Sequence, residues 1–387
     1  MRLVRKYLSS FNSQELPLVS ICIPAYNAEA TIAETLDTVL AQNYPLLDVV
    51  VSDNQSTDNT KAIVQEYANR GVRYVYHSEG RPDWAAGMPS YIGAYINSNF
   101  VLSQAYGDYL CLFHSDDLYE PSIVRKQVLV MQANPQVGAV FTHARRIDED
   151  SQPIRMGITK LPKELKGQSL FTFPNLLNAV LSYGNFLQAP SVMLRRSVMN
   201  DVGGFNERQF LTSADLEMWL QIAREGYQIA VIDEPLLKYR ISQKQFGQQY
   251  NKLRVTLSDF FRVMDYFLGQ TIVQELARPK SIALYELHRF IDYKICSMNL
   301  LAKGEELEAR SQLSNSLHWQ HFITALYRPR LLKQLLEGMI LLLSTYMRVG
   351  PLVGRQMHSM YKRKIQRLRK PEKLQRKLTG KFKATHV

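Results

Sequence analysis

Apolar positions along the chain follow two rhythms. Val19-Ser20-Ile21-Cys22-Ile23, Leu47-Asp48-Val49-Val50-Val51 and Val72 to Tyr76 are short, mostly apolar runs with the length of buried strands. Between the first two, Ile32, Leu36, Val39 and Leu40 fall at helical spacing within Glu29 to Gln42. Thr57 or Asp58 can cap a second helix that reaches about Ala68. Strand, helix, strand, helix, strand predicts a parallel sheet with crossover helices, an α/β class. A Gly-, Pro- and Trp-bearing loop, His77 to Pro89, interrupts this alternation in the manner of a loop that a ligand orders.

A helix to about Tyr106 then leads into Tyr109-Leu110-Cys111-Leu112-Phe113, a further buried strand that ends on His114-Ser115-Asp116-Asp117. After Pro121 the pattern predicts a helix, a strand over Val137 to Thr142, and a polar surface excursion from Ile147 to Gln168. Ala189 to Leu194 reads as a strand, Asp215 to Arg224 as a helix, and Ile229 to Ile232 and Leu236 to Tyr239 as two short strands. Beyond Gln245 the pattern turns to long helices with little Gly or Pro. The expected divisions are an N-terminal extension 1–16, an α/β unit 17–245, a helical subdomain 246–354 and a basic tail 355–387.

Composition narrows the class. Of 387 residues, 46% are hydrophobic and 21% charged, as in a folded protein. Cys22, Cys111 and Cys296 form no disulfide or metal-ligand pattern, which points to a reducing compartment and a cytoplasmic protein. The charge-free part of the greasiest segment, Gly338 to Met347, is ten residues long, about half of what a membrane span requires. The formal charge of +12 is concentrated: from Arg355 onward there are twelve Lys or Arg and one acid, Glu372. Such a tail binds phosphates. Next to it, Leu331, Leu332, Leu335, Leu336, Met339, Ile340, Leu343, Tyr346 and Met347 form an apolar stripe, which either covers the α/β unit or lies in a membrane interface. The expected partners therefore include an anionic membrane surface at the inner face of the cell membrane. Nucleic acid is disfavoured, because no interleaved aromatics or reading module accompany the charge.

Candidate chemistry gathers at strand ends, where a parallel sheet binds ligands. Two adjacent carboxylates, Asp116 and Asp117, repel unless a cation or proton lies between them, and a hard divalent ion suits them. The alternative for Asp117 is capping of the helix near Pro121. Pro24-Ala25-Tyr26-Asn27 and Asp53 end the first two strands; Asp53 could accept a uracil N–H and Tyr26 could stack on a base, although turn chemistry would also explain Asn27 and Asp53. No Gly-x-Gly-x-x-Gly or P-loop follows the first strand, which removes the main support for dinucleotide and P-loop chemistry. In Ala214-Asp215-Leu216-Glu217-Met218-Trp219, Asp215 is either a helix cap or a general base beside an apolar pocket made with Met218 and Trp219.

Together, Val19 to Asn27, Ser52 to Thr60, Asn99 with Gly107-Asp108-Tyr109, Ser115-Asp116-Asp117, Gly203-Gly204-Phe205 and Asp215 to Trp219 resemble the ordered blocks of family 2 glycosyltransferases, over Leu18 to Ser242. The resemblance implies a GT-A fold with a mostly parallel central sheet, a nucleoside diphosphate sugar as donor (uridine the expected base), Mn or Mg, and a glycan or lipid-linked acceptor. It implies nucleotide-sugar contacts from Pro24, Ala25, Tyr26, Asn27, Asp53, Asn99, Ser115 and Asp116, with Asp116 also on the metal. Asp215 becomes the base that deprotonates the acceptor, with inversion at the sugar. Trp219, Arg240 and Gln188 are acceptor-side candidates, and Arg240 or Lys244 could neutralise the diphosphate. Two departures stand out: His114 replaces the first acid of the Asp-x-Asp motif, and Ser242 stands near where many members carry a metal-binding His. They leave a non-catalytic nucleotide-sugar or glycan binder with a degenerate metal site as the alternative.

Overall fold

The computed structural model describes residues 16–80, 82–83, 90–242, 254–326 and 328–372. Its strands are β1 Val19–Ala25, β2 Leu47–Asp53, β3 Val72–Tyr76, β4 Tyr109–Leu112, β5 Leu118–Tyr119, β6 Val137–Ile147, β7 Pro153–Ile158, β8 Leu170–Phe171, β9 Met193–Arg195 and β10 Gln228–Arg240. They form one sheet in the order β3-β2-β1-β4-β9-β6-β10-β5, with β7 on β6 and β8 on β10. The helices are α1 Ile32–Leu40, α2 Thr60–Glu66, α3 Ser90–Ser103, α4 Ile123–Ala133, α5 Phe173–Tyr183, α6 Arg196–Val202, α7 Glu207–Phe210 and α8 Ala214–Arg224. The C-terminal set is α9 Asp259–Leu268, α10 Thr271–Leu276, α11 Pro279–Lys303, α12 Glu306–Ser316, α13 Gln320–Leu326, α14 Pro329–Tyr346 and α15 Gly350–Leu368.

The continuous apolar runs follow from burial of both faces of the sheet. Along β1 and β2, Ile21, Ile23, Val49 and Val51 enter one core, while Cys22 and Val50 enter the other. β1 pairs in parallel with β2 and β4, and β2 with β3, in a register that sets Ala25 beside Asp53 and Asp53 beside Tyr76. The loops after β1, β2 and β4 therefore open on one edge. At the opposite edge Gly107 lets the start of β4 lie against the start of β1: a Cβ there would lie 2.4 Å from the Ser20 nitrogen and 2.7 Å from the Leu18 oxygen.

Several expectations need correction. Ala189 to Leu194 is not one strand: Ala189–Ser191 forms a 3-10 turn around Pro190, which has no N–H to give a ladder, and β9 begins at Met193. β9 runs antiparallel to both β4 and β6, so the sheet is mixed at its centre. The two short strands expected near Ile229 and Leu236 are a single β10, bent at bulges around Pro235. Part of the surface excursion returns as β7, antiparallel to β6.

The helical region also divides differently. Phe261, Met264, Phe267, Val273 and Tyr285 belong to the same core as Leu110 and Trp219, so α9, α10 and the start of α11 complete the α/β unit. A separate helical core begins at Leu287. The division expected at 354 falls inside α15. Residues 1–15, most of the loop 81–89, the segment 243–253 with Lys244 and the boundary at Gln245, and the tail from 373 lie outside the described residues. Among the described residues, no helix is long and apolar enough to cross a membrane.

Candidate active site

Where β4 ends, the chain is gripped from three sides. Phe113 stacks flat on Tyr119, with centroids 3.7 Å apart, and the Tyr119 hydroxyl accepts the His114 N–H at 2.7 Å. From α1 and the residue before it, the Thr35 and Thr31 hydroxyls donate to the Ser115 carbonyl at 3.0 and 2.9 Å; Thr35 also reaches the Asp117 carbonyl at 2.9 Å. From β10, the Arg240 N–H donates to Asp117 Oδ1 at 2.8 Å and its Nε to the Asp116 carbonyl at 2.7 Å.

The loop so held brings one potential ligand atom each from His114, Asp116 and Asp117 within 4.8 Å of one another. Asp117 is fully buried and its Oδ2 has no hydrogen-bond partner. Burial, then the neighbouring Asp116 charge, holds its carboxyl well above the usual carboxylate range. An orphaned carboxylate oxygen beside a second carboxylate is a site that a hard cation relieves. Burial also lowers the His114 pKa, against the opposing pull of Asp116, which favours the neutral imidazole that ligates metals. The residues present thus fit a divalent cation. Asp117 does not cap the helix near Pro121; α4 starts at Ile123 behind Ser122.

Asp215 stands in the first turn of α8, where its Oδ1 accepts the Leu216 N–H at 2.8 Å. Tyr95 of α3 hydrogen-bonds to the same carboxyl, and its hydroxyl lies 3.2 Å from the Thr212 carbonyl. Thr212 in turn donates through its N–H and hydroxyl to Asp259 of α9, at 3.2 and 2.5 Å. One turn below Asp215, Trp219 lies edge-on to Phe141 and Phe205, at 4.9 and 5.9 Å. Burial in these surroundings pushes the Asp215 carboxyl up to about 6. Tyr239 connects the two halves: burial first, then the charges of Asp117, Asp116 and, more weakly, Asp215, raise the pKa of its phenol.

The nucleotide side is laced together by its own loops. Asn27 adopts a left-handed backbone, φ 48°, a conformation Asn tolerates better than most residues; its Oδ1 accepts the Thr57 N–H at 2.8 Å and its N–H donates to Ser56 Oγ at 2.9 Å. Asp53 is 1% exposed, with Oδ1 accepting the Ser56 N–H at 2.9 Å and Oδ2 the Tyr74 hydroxyl at 2.8 Å. Asn97 of α3 ties the rim from behind, donating to the Ala25 and Ser52 carbonyls at 3.2 and 3.0 Å. Tyr26 stands out into solvent from this frame.

Residues 20–203 match Glycosyl transferase family 2. The chain carries a family 2 glycosyltransferase domain. It is 27% identical over 247 residues to TuaG of Bacillus subtilis, a glycosyltransferase named for teichuronic acid biosynthesis, covering 63% of this chain and 86% of TuaG. To the glycosyltransferase EpsE of the same organism it is 24% identical, covering 60% of this chain and 76% of EpsE. Among solved structures, residues 1–349 of S. aureus TarS in complex with UDP-GlcNAc superpose with a TM-score of 0.54 at 18% identity, covering 90% of this chain and 92% of that one. The shared fold is of the GT-A type.

In this glycosyltransferase the parallel register places Pro24, Ala25, Tyr26, Asn27 and Asp53 on the edge that also carries Ser115 and Asp116. Three sequence candidates, Asn99, Trp219 and Arg240, do other work. Asn99 is a brace: its amide donates to the Phe205 carbonyl at 2.9 Å and its Oδ1 accepts the Phe205 N–H at 2.8 Å, clasping α3 to Gly203-Gly204-Phe205. Trp219 is wholly buried and so cannot touch an acceptor. The Arg240 guanidinium is not aimed at a diphosphate; it is buried against Glu34 Oε2 at 2.7 Å, the Glu149 carbonyl at 2.9 Å and Ser151 Oγ at 3.0 Å. The backbone carbonyl of Gln188 accepts the Ser191 N–H at 2.8 Å, while its side chain lies 3.4 Å from the Phe186 carbonyl in the 3-10 turn region.

Tyr95 and Tyr239 were missing from the sequence reading of the site; Asp117 was weighed there both as a cation ligand beside Asp116 and as a helix cap. The two tyrosines had no signal, because their roles depend on which helix and strand face the cleft.

Proposed function

We propose that this glycosyltransferase moves a sugar from a nucleoside diphosphate, with uridine diphosphate the expected carrier, to a hydroxyl of a glycan or lipid-linked acceptor by single displacement with inversion. The observation that carries the reading is the cluster of His114, Asp116 and Asp117, whose potential ligand atoms lie within 4.8 Å of one another; the charges of Asp117, Asp116 and, more weakly, Asp215 also reach one buried phenol, that of Tyr239. A divalent cation, Mn or Mg, held by Asp116 and Asp117 with His114 beside them, would offset the negative charge of the departing diphosphate. Asp215 accepts the proton of the attacking hydroxyl on its carboxylate. The Leu216 N–H and the Tyr95 hydroxyl hold that carboxylate in place, and the buried Trp219 below keeps one side of it dry.

With Asp116 and Asp117 committed to the cation, Asp215 is left for proton transfer, which suits one displacement rather than two. The transfer machinery is assigned to 17–245, and α9 supports it through Asp259. UDP-GlcNAc in TarS and teichuronic acid in the name of TuaG support a UDP sugar and a surface glycan. Buried, unpaired Cys22, Cys111 and Cys296 are compatible with a cytoplasmic station.

A panel of UDP, GDP and dTDP sugars, assayed with Mn for nucleotide release and with NMR for the anomeric configuration of the product, tests this. An inverted product from a UDP sugar is the expected result. Retention of configuration would refute single displacement, and turnover of GDP or dTDP sugars alone would refute the donor.

A further inference from the structure

We propose that the α14–α15 hairpin is a docking surface for an anionic phospholipid bilayer. The apolar stripe of α14 is split by the fold. Leu335, Leu341 and Thr345 are fully buried in the helical core, and Gly338 packs so closely that a Cβ would lie 2.6 Å from the Phe290 ring. Among the described residues the opposite face has no such cover: Leu336, Ile340, Leu343 and Met347 are 46, 57, 58 and 72% exposed at spacings of four, three and four residues. At the turn into α15 the apolar surface continues through Val349 and Leu352, 41 and 71% exposed. Stripes of this kind are uncommon on surfaces that face only water.

Charge identifies the occupant. From Arg348 to Lys370 the chain has eight Lys or Arg and no acid. Arg355, Lys362, Arg363, Lys364 and Arg367 stand exposed along α15. An apolar face next to a run of cations supplies both signals that stable peripheral attachment requires. A second copy of this chain would set those cations against each other, whereas lipid phosphates neutralise them.

The surface also leads to the catalytic edge. Past α15, Pro371 pairs with Ile154 of β7, the Arg155 N–H donates to the Lys370 carbonyl at 3.1 Å, and the Glu372 N–H to the Pro153 carbonyl at 2.8 Å. The hairpin turn before β7 is the one that Arg240 grips beside the metal loop. A docked hairpin would therefore hold the cleft near acceptors carried by the bilayer, a consequence that rests on the proposed transfer; the docking itself does not.

The test is flotation of the full chain with vesicles of phosphatidylcholine alone or with 30% phosphatidylglycerol. Two variants accompany it: Leu343→Ser with Leu352→Ser, and Lys362→Gln with Arg363→Gln, Lys364→Gln and Arg367→Gln. The altered residues are exposed, so melting temperatures should match the parent and nucleotide release with a soluble acceptor should be unchanged. Binding to the anionic vesicles is expected at low salt, falling as salt rises. Each cation near such a surface contributes about fivefold, so the variant lacking four of them should lose roughly several hundredfold in partitioning. Equal binding to neutral vesicles, full binding by either variant, or concentration-dependent self-association abolished by Leu343→Ser would overturn the proposal.

Discussion

Replacing Asp215 with Asn should make the enzyme inactive and more stable at once. In the fold, burial raises this carboxyl from its ordinary 3.8 to about 6. Between those values the unfolded chain is ionised while the folded one still holds its proton, so stability falls as pH rises through the window and levels off above it. At 1.36 kcal/mol per pH unit, the penalty above pH 6 is at most about 3 kcal/mol. The carboxyl keeps some contact with solvent, which brings the expected gain on neutralisation to about 1–2 kcal/mol. Asn keeps the side-chain oxygen that accepts the Leu216 N–H, so the helix start is preserved. Loss of the general base should lower kcat by about a hundredfold to ten-thousandfold. The assay is urea unfolding of both proteins at pH 8 and pH 4.5, with donor turnover followed in parallel. A higher midpoint for the variant at pH 8, with the difference narrowed to about a third at pH 4.5, is the expected pattern, and the parent's kcat/KM should rise to a plateau above about pH 6. Retained activity, or a stability difference that does not change with pH, would refute the reasoning.

Other perturbations separate chemistry from scaffold. Asp116→Asn and Asp117→Asn should each weaken Mn-dependent donor binding at least about tenfold in titration calorimetry; Asp117→Asn should leave the fold intact, because its amide oxygen can still accept the Arg240 N–H while the NH2 takes the place of the unpaired Oδ2. Arg240→Met should cost about 2–4 kcal/mol in urea unfolding and raise the Mn requirement, because it strands carbonyls of Asp116 and Glu149 and releases the metal loop; an unchanged midpoint would contradict the pin. Trp219→Ala should destabilise by about 3–5 kcal/mol, while Trp219→Phe should leave the acceptor KM unchanged; a selective KM effect of Trp219→Phe would restore it to the acceptor side.

The alternation of apolar runs with helical spacing was enough to read the class of fold, because strands buried on both faces must be apolar throughout and crossover helices must be amphipathic. The strand-end positions of Asp53 and Asp116 were legible for the same reason. Residues 189 to 194 and Pro235 misled, since periodicity records burial and not strand direction: it could not tell that β9 runs antiparallel between β4 and β6, or that a proline at a bulge leaves β10 continuous. The division placed near Gln245 rested on a change from mixed to helical pattern, which marks a change of element, whereas cores are divided by packing such as that which puts Phe261 and Trp219 in one cluster.

From the sequence by itself came the order of elements, the acidic pair after the fourth strand, the carboxylate that opens a helix and the cationic end of the chain, all of them local in the chain. Tertiary structure alone decided which polar groups are already satisfied. Arg240 and Asn99 have the chemistry of ligand-binding residues, but their hydrogen bonds are taken up by partners about ninety or more residues away. Asp117 resembles a capping residue but is left with an orphaned oxygen. Spacing along a chain cannot supply this, because the desolvation and hydrogen bonds that set the chemistry of each group depend on distant segments that meet only when the chain folds.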